Sequence, residues 1–336
     1  MAGTNAVEGY EISAPDGALL RIPQRVEPVT DPYLKLASAG QRRAYYAENG
    51  YVVVRGLVSA AMCDTVRAAY EREVKPFAGF LYRQASANPE KHVLTPQGHV
   101  LNSLLNIQDV DPRSFPGFRA GGLELVTCKP MREAVHALLA EPGVLVQSMY
   151  FEGNPVTWAH QDTYYLDGEP LGTMTAACIA LEDIHPGAGR FYVYPGSHRI
   201  DMARNGGDFD IAFNHDRYKK LVIDIVGKFG LQCRAPAFDK GDVLFWAAKT
   251  IHGSLETPEP AYSRSSVTAH YIPESGRFMQ FQTRARRLRL EELNGMRVHC
   301  PKNQGRWINR AMMAIEASFP RTFQMAKKIA VKALTR

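Results

Sequence analysis

Apolar residues recur with helical spacing in the first part of the chain. The segment QRRAYYAEN (41–49) predicts a helix that Gly50 can end, and YVVVRGL (51–57) predicts a strand rich in β-branched residues. Ser59 is a suitable N-cap for a second helix, whose apolar residues recur at helical spacing up to Val74. The order helix, strand, helix is therefore expected in this part of the chain.

A further predicted helix begins at Pro130, and short apolar stretches of strand-like composition follow it. Proline suits the first turn of a helix, which here would extend through Leu139 to the Pro142-Gly143 pair. Each later stretch is bounded by Gly, Pro, Asp or Asn, as expected for strands joined by turns. The stretches are VLVQSMYF (144–151), GTMTAACIAL (172–181), GRFYVY (189–194), DVLFWAA (242–248) and SSVTAHYI (265–272). Short strands at such spacing predict a β-sandwich or barrel.

Three regions show no regular spacing of their apolar residues. Residues 1–40 are rich in Pro, Gly and short polar residues, and we expect them to lie as an arm over the folded body. Residues 76–128 predict long loops with short elements. Residues 199–236 predict a polar, mobile flap that is long enough to close over a substrate.

The chain becomes basic and helical after about residue 276. Its apolar positions form a stripe at helical spacing. They are Met312, Ile315, Phe319, Phe323, Ala326 and Ile329. We expect this helix to pack on the sheet; a basic helix that makes weak peripheral contact with a membrane is the alternative that the pattern leaves open.

Composition and charge narrow the class of protein. In 336 residues, 45% hydrophobic content is enough for a large core, and neither an export signal nor an apolar run long enough to span a membrane is visible. The net charge of +6 comes largely from the last third, so we expect no nucleic-acid partner. Five widely spaced cysteines without a Cys-x-x-Cys pair disfavour a disulfide framework and a zinc-thiolate site. A reducing, cytoplasmic location fits best.

A candidate metal site lies in TWAHQDTYY (157–165). In an extended segment, His160 and Asp162 would project to the same side and could bind one ion. A third candidate ligand, His252, follows the apolar strand in GDVLFWAAKTIHGS (241–254). Two imidazoles and one carboxylate on one face of an octahedron, with the other positions open, suit non-haem Fe(II) oxygenases. A hydrogen-bonded surface pair and a satisfied buried histidine are the alternatives that the pattern leaves open.

Arg264 is a candidate anion ligand. It shares one alternating face of a predicted strand with Ser266, Thr268 and His270. An inward-facing arginine requires an anion, and its guanidinium fork matches a carboxylate. The alternative is an edge arginine in an ordinary salt bridge.

These motifs together resemble those of the phytanoyl-CoA dioxygenase family of Fe(II)- and 2-oxoglutarate-dependent oxygenases. The motifs are HQD (160–162), GAGRFYVYPGSH (187–198), the GDVLFW strand (241–246) leading into IHGS (251–254), Arg264, and the early segment ENGYVVVRGLV (48–58). The likeness covers roughly residues 41–275. It implies an α+β protein with a mainly β core, a double-stranded β-helix or cupin-like jelly roll, flanked by helices.

The expected organisation is a single oxygenase domain over residues 1–336. Its parts would be the arm (1–40), supporting helices, strand and loops (41–143), the jelly-roll core with the metal site (144–275) and a basic helical extension (276–336).

The resemblance also implies roles for single residues. His160, Asp162 and His252 would be the catalytic iron ligands, and Arg264 would hold the distal carboxylate of 2-oxoglutarate. Gln147 and Ser254 match positions that often contact this cosubstrate. The implied cofactors are Fe(II), 2-oxoglutarate and O2, with ascorbate in support.

The implied reaction is hydroxylation of a small organic metabolite or natural-product intermediate, with succinate and CO2 as co-products. Desaturation, cyclisation, epoxidation or epimerisation with the same cofactors, and a non-catalytic metal- or ligand-binding jelly roll, are the alternatives. Halogenation is disfavoured because Asp162 fills the place that a halide would need. The polar residues of the interval 199–236 predict a polar or anionic substrate, and its identity stays open.

Overall fold

A computed structural model describes residues 9–323, 325 and 326 of the chain. The α-helices in this part are α1 (Ala39–Asn49), α2 (Ala60–Ala69), α3 (Pro116–Thr127), α4 (Lys129–Leu139), α5 (His215–Lys228) and α6 (Trp307–Ser318). None of these described helices is long and apolar enough to cross a bilayer.

The described strands fall into one large sheet and several small ones. They are β1 (Gly9–Ser13), β2 (Leu19–Pro23), β3 (Tyr51–Val54), β4 (Leu81–Tyr82), β5 (Pro89–Glu90), β6 (Leu104–Leu105), β7 (Gly143–Phe151), β8 (Leu166–Glu169), β9 (Thr175–Ala180), β10 (Phe191–Val193), β11 (Val243–Ala247), β12 (His252–Ser254), β13 (Ser266–Pro273), β14 (Arg277–Gln280), β15 (Arg284–Arg286), β16 (Leu290–Leu293) and β17 (Met296–His299).

The predicted start of the folded part is confirmed. Ser38 and Gln41 form a capping box at the start of α1, and Gly50 ends this helix in a left-handed conformation with φ of 77°. The side chain of Ser59 accepts a hydrogen bond from the backbone nitrogen of Met62 and so caps α2. Local capping chemistry therefore fixes the two helices on either side of β3.

The large sheet has the strand order β16-β17-β7-β13-β9-β11-β3, with β6 beside β7. All of its pairs are antiparallel except β17 with β7. The central strand β13 is buried along its whole length and separates two environments. Val267, Ala269 and Tyr271 face an apolar core that the helices α2, α3 and α4 cover. The alternate residues face the opposite side, where the small strand pairs β10-β12 and β8-β14-β15 lie.

Both of the first two irregular regions contain more regular structure than the sequence predicts. The N-terminal arm contains the hairpin β1-β2, and the region 76–128 contains the helix α3 as well as loops. Pro116 stands in the first turn of α3, where its missing N–H costs nothing, so this proline marked the helix start. The buried face of α3 packs on α2, and tertiary packing thus decides its structure.

The predicted helical extension is largely β-structure. Residues 277–299 form β14 to β17, and β17 extends the large sheet by pairing with β7. Helix begins only at Trp307, and the apolar stripe does not pack on the sheet as expected. Met312, Ile315 and Phe319 are all exposed; Ile329 lies outside the described residues. The alternation of buried and exposed residues in β17 shows that packing against β7 overrides the basic composition.

The interval 199–236 is not a polar flap throughout, because it contains the amphipathic helix α5. Tyr218, Val222, Ile225 and Val226 are buried and pack in one apolar cluster with Tyr192. Arg199 and Arg204 are exposed in the segment before this helix, and Arg217 is exposed on the helix itself. This helix therefore holds part of the interval firmly against the body of the protein.

Candidate metal centre and cosubstrate pocket

Two distant histidines meet through their backbones. His160 and His252 form an antiparallel bridge in which each backbone nitrogen donates to the other residue's carbonyl oxygen at 3.0 Å. Their imidazole rings lie 4.4 Å apart. The 90-residue spacing in the sequence is closed in this way by ordinary strand pairing, with β12 supplying His252.

Asp162 completes the group, as the sequence predicts. Gln161 is extended, so His160 and Asp162 project to the same side, and Asp162 then begins a short 3-10 helix. Its Oδ1 lies 3.6 Å from Nε2 of His160 and 3.5 Å from Nε2 of His252. The three donor atoms lie within 4.8 Å of one another, close enough to share one metal ion.

Hydrogen bonds fix which nitrogen each imidazole presents. Nδ1 of His160 lies 2.8 Å from the carbonyl oxygen of Trp158, and Nδ1 of His252 lies 2.9 Å from that of Thr250. A carbonyl can only accept, so both Nδ1 atoms carry the proton and donate it. Both Nε2 lone pairs therefore point towards Asp162, as metal-binding histidines require.

The second carboxylate oxygen of Asp162 is held by the protein. Its Oδ2 accepts a hydrogen bond from the indole Nε1 of Trp246 at 2.8 Å and lies 3.5 Å from Nε2 of His270. Trp246 is 1% exposed and His270 is 2% exposed, so water does not compete for these contacts. One oxygen of Asp162 is thus oriented by its neighbours while the other faces the two histidines.

The protonation states also suit a metal ligand set. Burial disfavours a charged Asp162, but the imidazoles of His252, His160 and His270 outweigh this effect and hold its pKa well below the usual value. Burial lowers the pKa of His252 to about 4, although Asp162 opposes the shift. At neutral pH the site thus offers an ionised carboxylate beside a neutral imidazole.

This donor set fits Fe(II). Two nitrogens and one oxygen on one side, with a cavity on the other, match the two-histidine, one-carboxylate arrangement with open positions. A structural zinc site would instead need a fourth protein ligand. Within the described residues, no other group of three His, Cys, Asp or Glu side chains comes close enough to bind a metal.

Arg264 lies in the same cavity. It is a buried cation with no anion beside it among the described residues. It is 6% exposed, its Nε has no hydrogen-bond partner among the described residues, and Nη1 reaches only the carbonyl oxygen of Gly189 at 3.5 Å. Its guanidinium lies 5.2 Å from the ring centre of Phe151. Burial lowers the pKa of Arg264, which reflects the cost of holding this charge away from water. A bound carboxylate would satisfy the free donors.

Gln147 and Ser254 differ in what they can offer a ligand. Both line the cavity. The amide of Gln147 makes no hydrogen bond to the described residues, and the residue lies opposite His270 in the β7-β13 pair. The hydroxyl of Ser254 already donates to Asn154 at 2.9 Å and accepts from the backbone nitrogen of Thr157 at 2.7 Å. Gln147 is therefore free to bind the cosubstrate, whereas Ser254 primarily fixes the loop before His160.

A cavity of about 490 Å³ joins the metal-ligand group to Arg264 and continues towards a second wall. This second wall is mainly apolar and aromatic. It consists of Gln84, Ala85, Pro155, Val156, Thr157, Trp158, Tyr165, Leu166 and His215. The Tyr165 hydroxyl lies 2.9 Å from Nε2 of His215, and the indole of Trp158 contacts the His215 ring edge-on at 5.1 Å. The start of α5 thus closes one side of the candidate substrate space.

Three functional contacts were not predicted from the sequence. The sequence predicts Trp246 only as part of the strand in GDVLFW. Tyr218 of α5 fixes the backbone between His160 and Asp162, because its hydroxyl accepts a hydrogen bond from the nitrogen of Gln161 at 2.8 Å. His215 belongs to the interval 199–236, for which the sequence predicts a polar composition but no single contact.

The sequence profile described as phytanoyl-CoA dioxygenase (PhyH) matches residues 46–261, more than half of the chain. The matched segment includes all three candidate metal ligands and ends just before Arg264. The peroxisomal phytanoyl-CoA dioxygenase of Bos taurus is 24% identical over 246 residues, which cover 69% of this chain and 67% of that protein. The Mus musculus enzyme is 25% identical over 247 residues, with the same coverage of the two chains.

Solved structures of similar fold support the jelly-roll architecture. EctD from S. alaskensis with 2-oxoglutarate and 5-hydroxyectoine superposes with a TM-score of 0.54 at 18% identity, covering 89% of this chain and 97% of that chain. The α-ketoglutarate-dependent carbocyclase SnoK from nogalamycin biosynthesis gives 0.53 at 19% identity, with 72% and 87% covered. The epimerase SnoN, in complex with Fe3+, α-ketoglutarate and nogalamycin RO, gives 0.52 at 18% identity, with 73% and 87% covered. The predicted cupin-like jelly roll flanked by helices is confirmed.

Proposed function

The chain belongs to the phytanoyl-CoA dioxygenase family of Fe(II)- and 2-oxoglutarate-dependent dioxygenases, and on this premise we propose that it hydroxylates a C–H bond of a small organic metabolite or natural-product intermediate. The observation that supports the proposal is the shared cavity, into which both the His160–Asp162–His252 group and the buried guanidinium of Arg264 open. In the overall reaction, substrate, O2 and 2-oxoglutarate become hydroxylated product, succinate and CO2.

Each residue around the cavity has a distinct role in this proposal. Nε2 of His160, Oδ1 of Asp162 and Nε2 of His252 hold Fe(II), and Arg264 binds the distal carboxylate of 2-oxoglutarate in a charge-assisted pair. When bound, iron and 2-oxoglutarate together supply the oxidising chemistry that breaks the C–H bond. Gln147 offers its free amide to the cosubstrate, and ascorbate would keep the metal reduced.

The chain's own contribution is to position the bound groups. The backbone bridge between His160 and His252 holds both imidazoles at a fixed separation, and Trp246 holds the carboxylate of Asp162. Arg264 needs no rearrangement to meet an anion, because its Nε already lacks a partner. Pre-organisation of this kind reduces the cost of bringing the reacting groups together.

The substrate side of the cavity favours an uncharged, partly aromatic molecule. Its wall carries no Asp, Glu, Lys or Arg; its polar groups are Gln84, Thr157, Tyr165 and His215. A polar but uncharged substrate suits this wall, because none of these lining residues offers an anion a fixed positive charge. We infer that the Tyr165–His215 pair hydrogen-bonds a polar group while Trp158 covers an apolar surface.

Succinate release under defined conditions tests the proposal. Purified protein would be supplied with Fe(II), 2-oxoglutarate, ascorbate and O2, and a library of neutral aromatic and alicyclic compounds would be screened for stimulated succinate formation. Mass spectrometry would then follow the stimulating compound. A product heavier by one oxygen atom supports hydroxylation, and a product lighter by two hydrogens or of unchanged mass indicates desaturation, cyclisation or epimerisation instead. Absence of succinate release in all samples, with Fe(II) and 2-oxoglutarate bound, would indicate a binding protein.

The cytoplasmic location also stays a prediction. All five cysteines are buried as free thiols, in agreement with a reducing compartment. Fractionation of the source cells, with the protein followed by antibody, would test it.

A further inference from the structure

Helix α6 contacts the rest of the protein through polar groups. Glu316 is its buried residue, 3% exposed, and its carboxylate accepts a hydrogen bond from the Tyr82 hydroxyl at 2.9 Å. At the start of the helix, the side chain of Asn309 donates to the carbonyl oxygen of Asn303 at 2.7 Å. A surface helix of a globular protein normally buries its apolar side and exposes its polar side. The arrangement in α6 is the reverse.

The outer side of α6 carries a continuous apolar surface. Ile308, Met312, Ile315 and Phe319 follow one another at helical spacing, and Trp307 lies at the N-terminal end of the row. All five are exposed, Trp307 to 72% and Phe319 to 63%. Single exposed apolar residues are common, but a contiguous patch of large ones marks an interaction surface. We refer to these five residues as the α6 face.

The same part of the chain holds the protein's excess positive charge. Residues 276–336 contain 14 Lys and Arg but only 3 Glu and no Asp, an excess of +11 in a chain whose net charge is +6. The remainder of the chain is therefore net negative. Arg306 and Arg321, one on each side of the α6 face along the sequence, are exposed. The α6 face thus belongs to the basic part of the sequence and has an exposed arginine on each side of it along the chain.

We propose that the α6 face docks on an anionic lipid surface. The apolar side chains would enter the boundary between headgroups and acyl chains, where Trp is favoured, while the exposed Arg306 and Arg321 attract the lipid phosphates and carboxylates. A second copy of the chain would cover the apolar residues equally well but would bring these arginines of both copies together. A nucleic acid would satisfy the charges but would leave Trp307 and Phe319 in water. Only the lipid surface matches both properties.

Vesicle sedimentation with the full-length protein tests this proposal without any use of turnover. The probes are vesicles of phosphatidylcholine alone and of phosphatidylcholine mixed with phosphatidylserine. We expect binding to the mixed vesicles, little binding to the neutral ones, and loss of binding at high salt. The double variant Trp307→Ser/Phe319→Ser should bind at least roughly tenfold more weakly, because it removes two large apolar side chains that the lipid would withdraw from water. The charge-reversed variant Arg306→Glu/Arg321→Glu should also bind more weakly.

The matched control is Leu19→Ser/Val29→Ser, which removes two equally exposed apolar residues from the N-terminal segment. It should bind like the unchanged protein. All three variants alter exposed side chains, and circular dichroism would verify their fold. The proposal is overturned if the unchanged protein ignores phosphatidylserine vesicles, or if the control loses as much binding as the α6 variant. It is also overturned if the unchanged protein is a dimer in solution that Trp307→Ser/Phe319→Ser dissociates, since the occupant would then be a second copy.

Discussion

The indole of Trp246 should matter for metal binding although it touches no metal. Its Nε1 donates to Oδ2 of Asp162 at 2.8 Å inside a site with almost no solvent exposure. The substitution Trp246→Phe keeps an aromatic ring but removes the donor, so the carboxylate loses the contact that orients it. Among the described side chains that contact that oxygen, His270 at 3.5 Å would remain.

The size of the effect follows from the kind of hydrogen bond that is lost. A hydrogen bond to a charged group contributes about 1.5–3 kcal/mol, which corresponds to roughly ten- to hundredfold in affinity. Partners that orient a metal ligand typically change metal affinity by about the same factor. We therefore expect Trp246→Phe to weaken Mn(II) binding, used in place of Fe(II) to avoid oxidation, by roughly ten- to hundredfold.

Isothermal titration of the metal-free protein with Mn(II) measures this loss directly. Phe245→Leu is the matched control, because it also shortens a buried aromatic residue of β11 but on the opposite side of the sheet, in the core with Val267 and Ala269. The control should lower the melting temperature and leave Mn(II) affinity unchanged. Wild-type affinity in a folded Trp246→Phe protein, or an equal loss in Phe245→Leu, would refute the orienting role.

Further predictions concern the metal ligands, the guanidinium of Arg264 and the buried carboxyl group of Asp109. Asp162→Ala should abolish succinate formation while the fold persists, and so should the alanine variant of either histidine ligand. Substantial turnover in such a variant would mean that the metal lies elsewhere. Arg264→Met should raise the Kd for 2-oxoglutarate by roughly ten- to hundredfold, because it removes a charge-assisted pair. Arg264→Lys should recover part of the lost affinity. An unchanged calorimetric affinity in Arg264→Met would contradict the assignment. Burial raises the pKa of Asp109 from 3.8 to about 7. Between these pH values the folded chain keeps a proton that the unfolded chain has lost. The free energy of unfolding should therefore fall as the pH rises through this window. Urea titrations of Asp109→Asn should lack this part of the pH dependence, whereas profiles parallel to the unchanged protein would count against it.

The parts of the site that lie on strands were accessible from the sequence. The alternation in SSVTAHYI placed Arg264, Ser266, Thr268 and His270 on one side of a strand, and the structure has them lining one cavity. His160 and Asp162 project to one side for a related reason, because Gln161 between them is extended although no regular strand carries them. Local periodicity was sufficient wherever an extended backbone carried the side chains.

Contacts between distant elements could not be predicted by periodicity. A tryptophan in an apolar strand indicates core packing, and nothing in the sequence relates Trp246 to a carboxylate 84 residues earlier. The predicted apolar stripe that begins at Met312 is correctly periodic as far as Phe319, but its periodicity does not say which side the protein covers. That choice depends on Tyr82, which lies more than 200 residues away and binds Glu316. The contact of Trp246 and the orientation of α6 thus both depend on polar partners far away in the sequence.

The two-sided strand β13 has a consequence for how this chain tolerates mutation. Val267, Ala269 and Tyr271 belong to the core below the sheet, whereas Ser266, Thr268 and His270 belong to the cavity above it. Substitutions at the first set change how much folded protein a cell accumulates, and substitutions at the second set change what each folded molecule can do. Neighbouring positions of one strand are therefore under different kinds of selection. New substrate preferences can arise on the cavity side while the sheet that supports it stays unchanged.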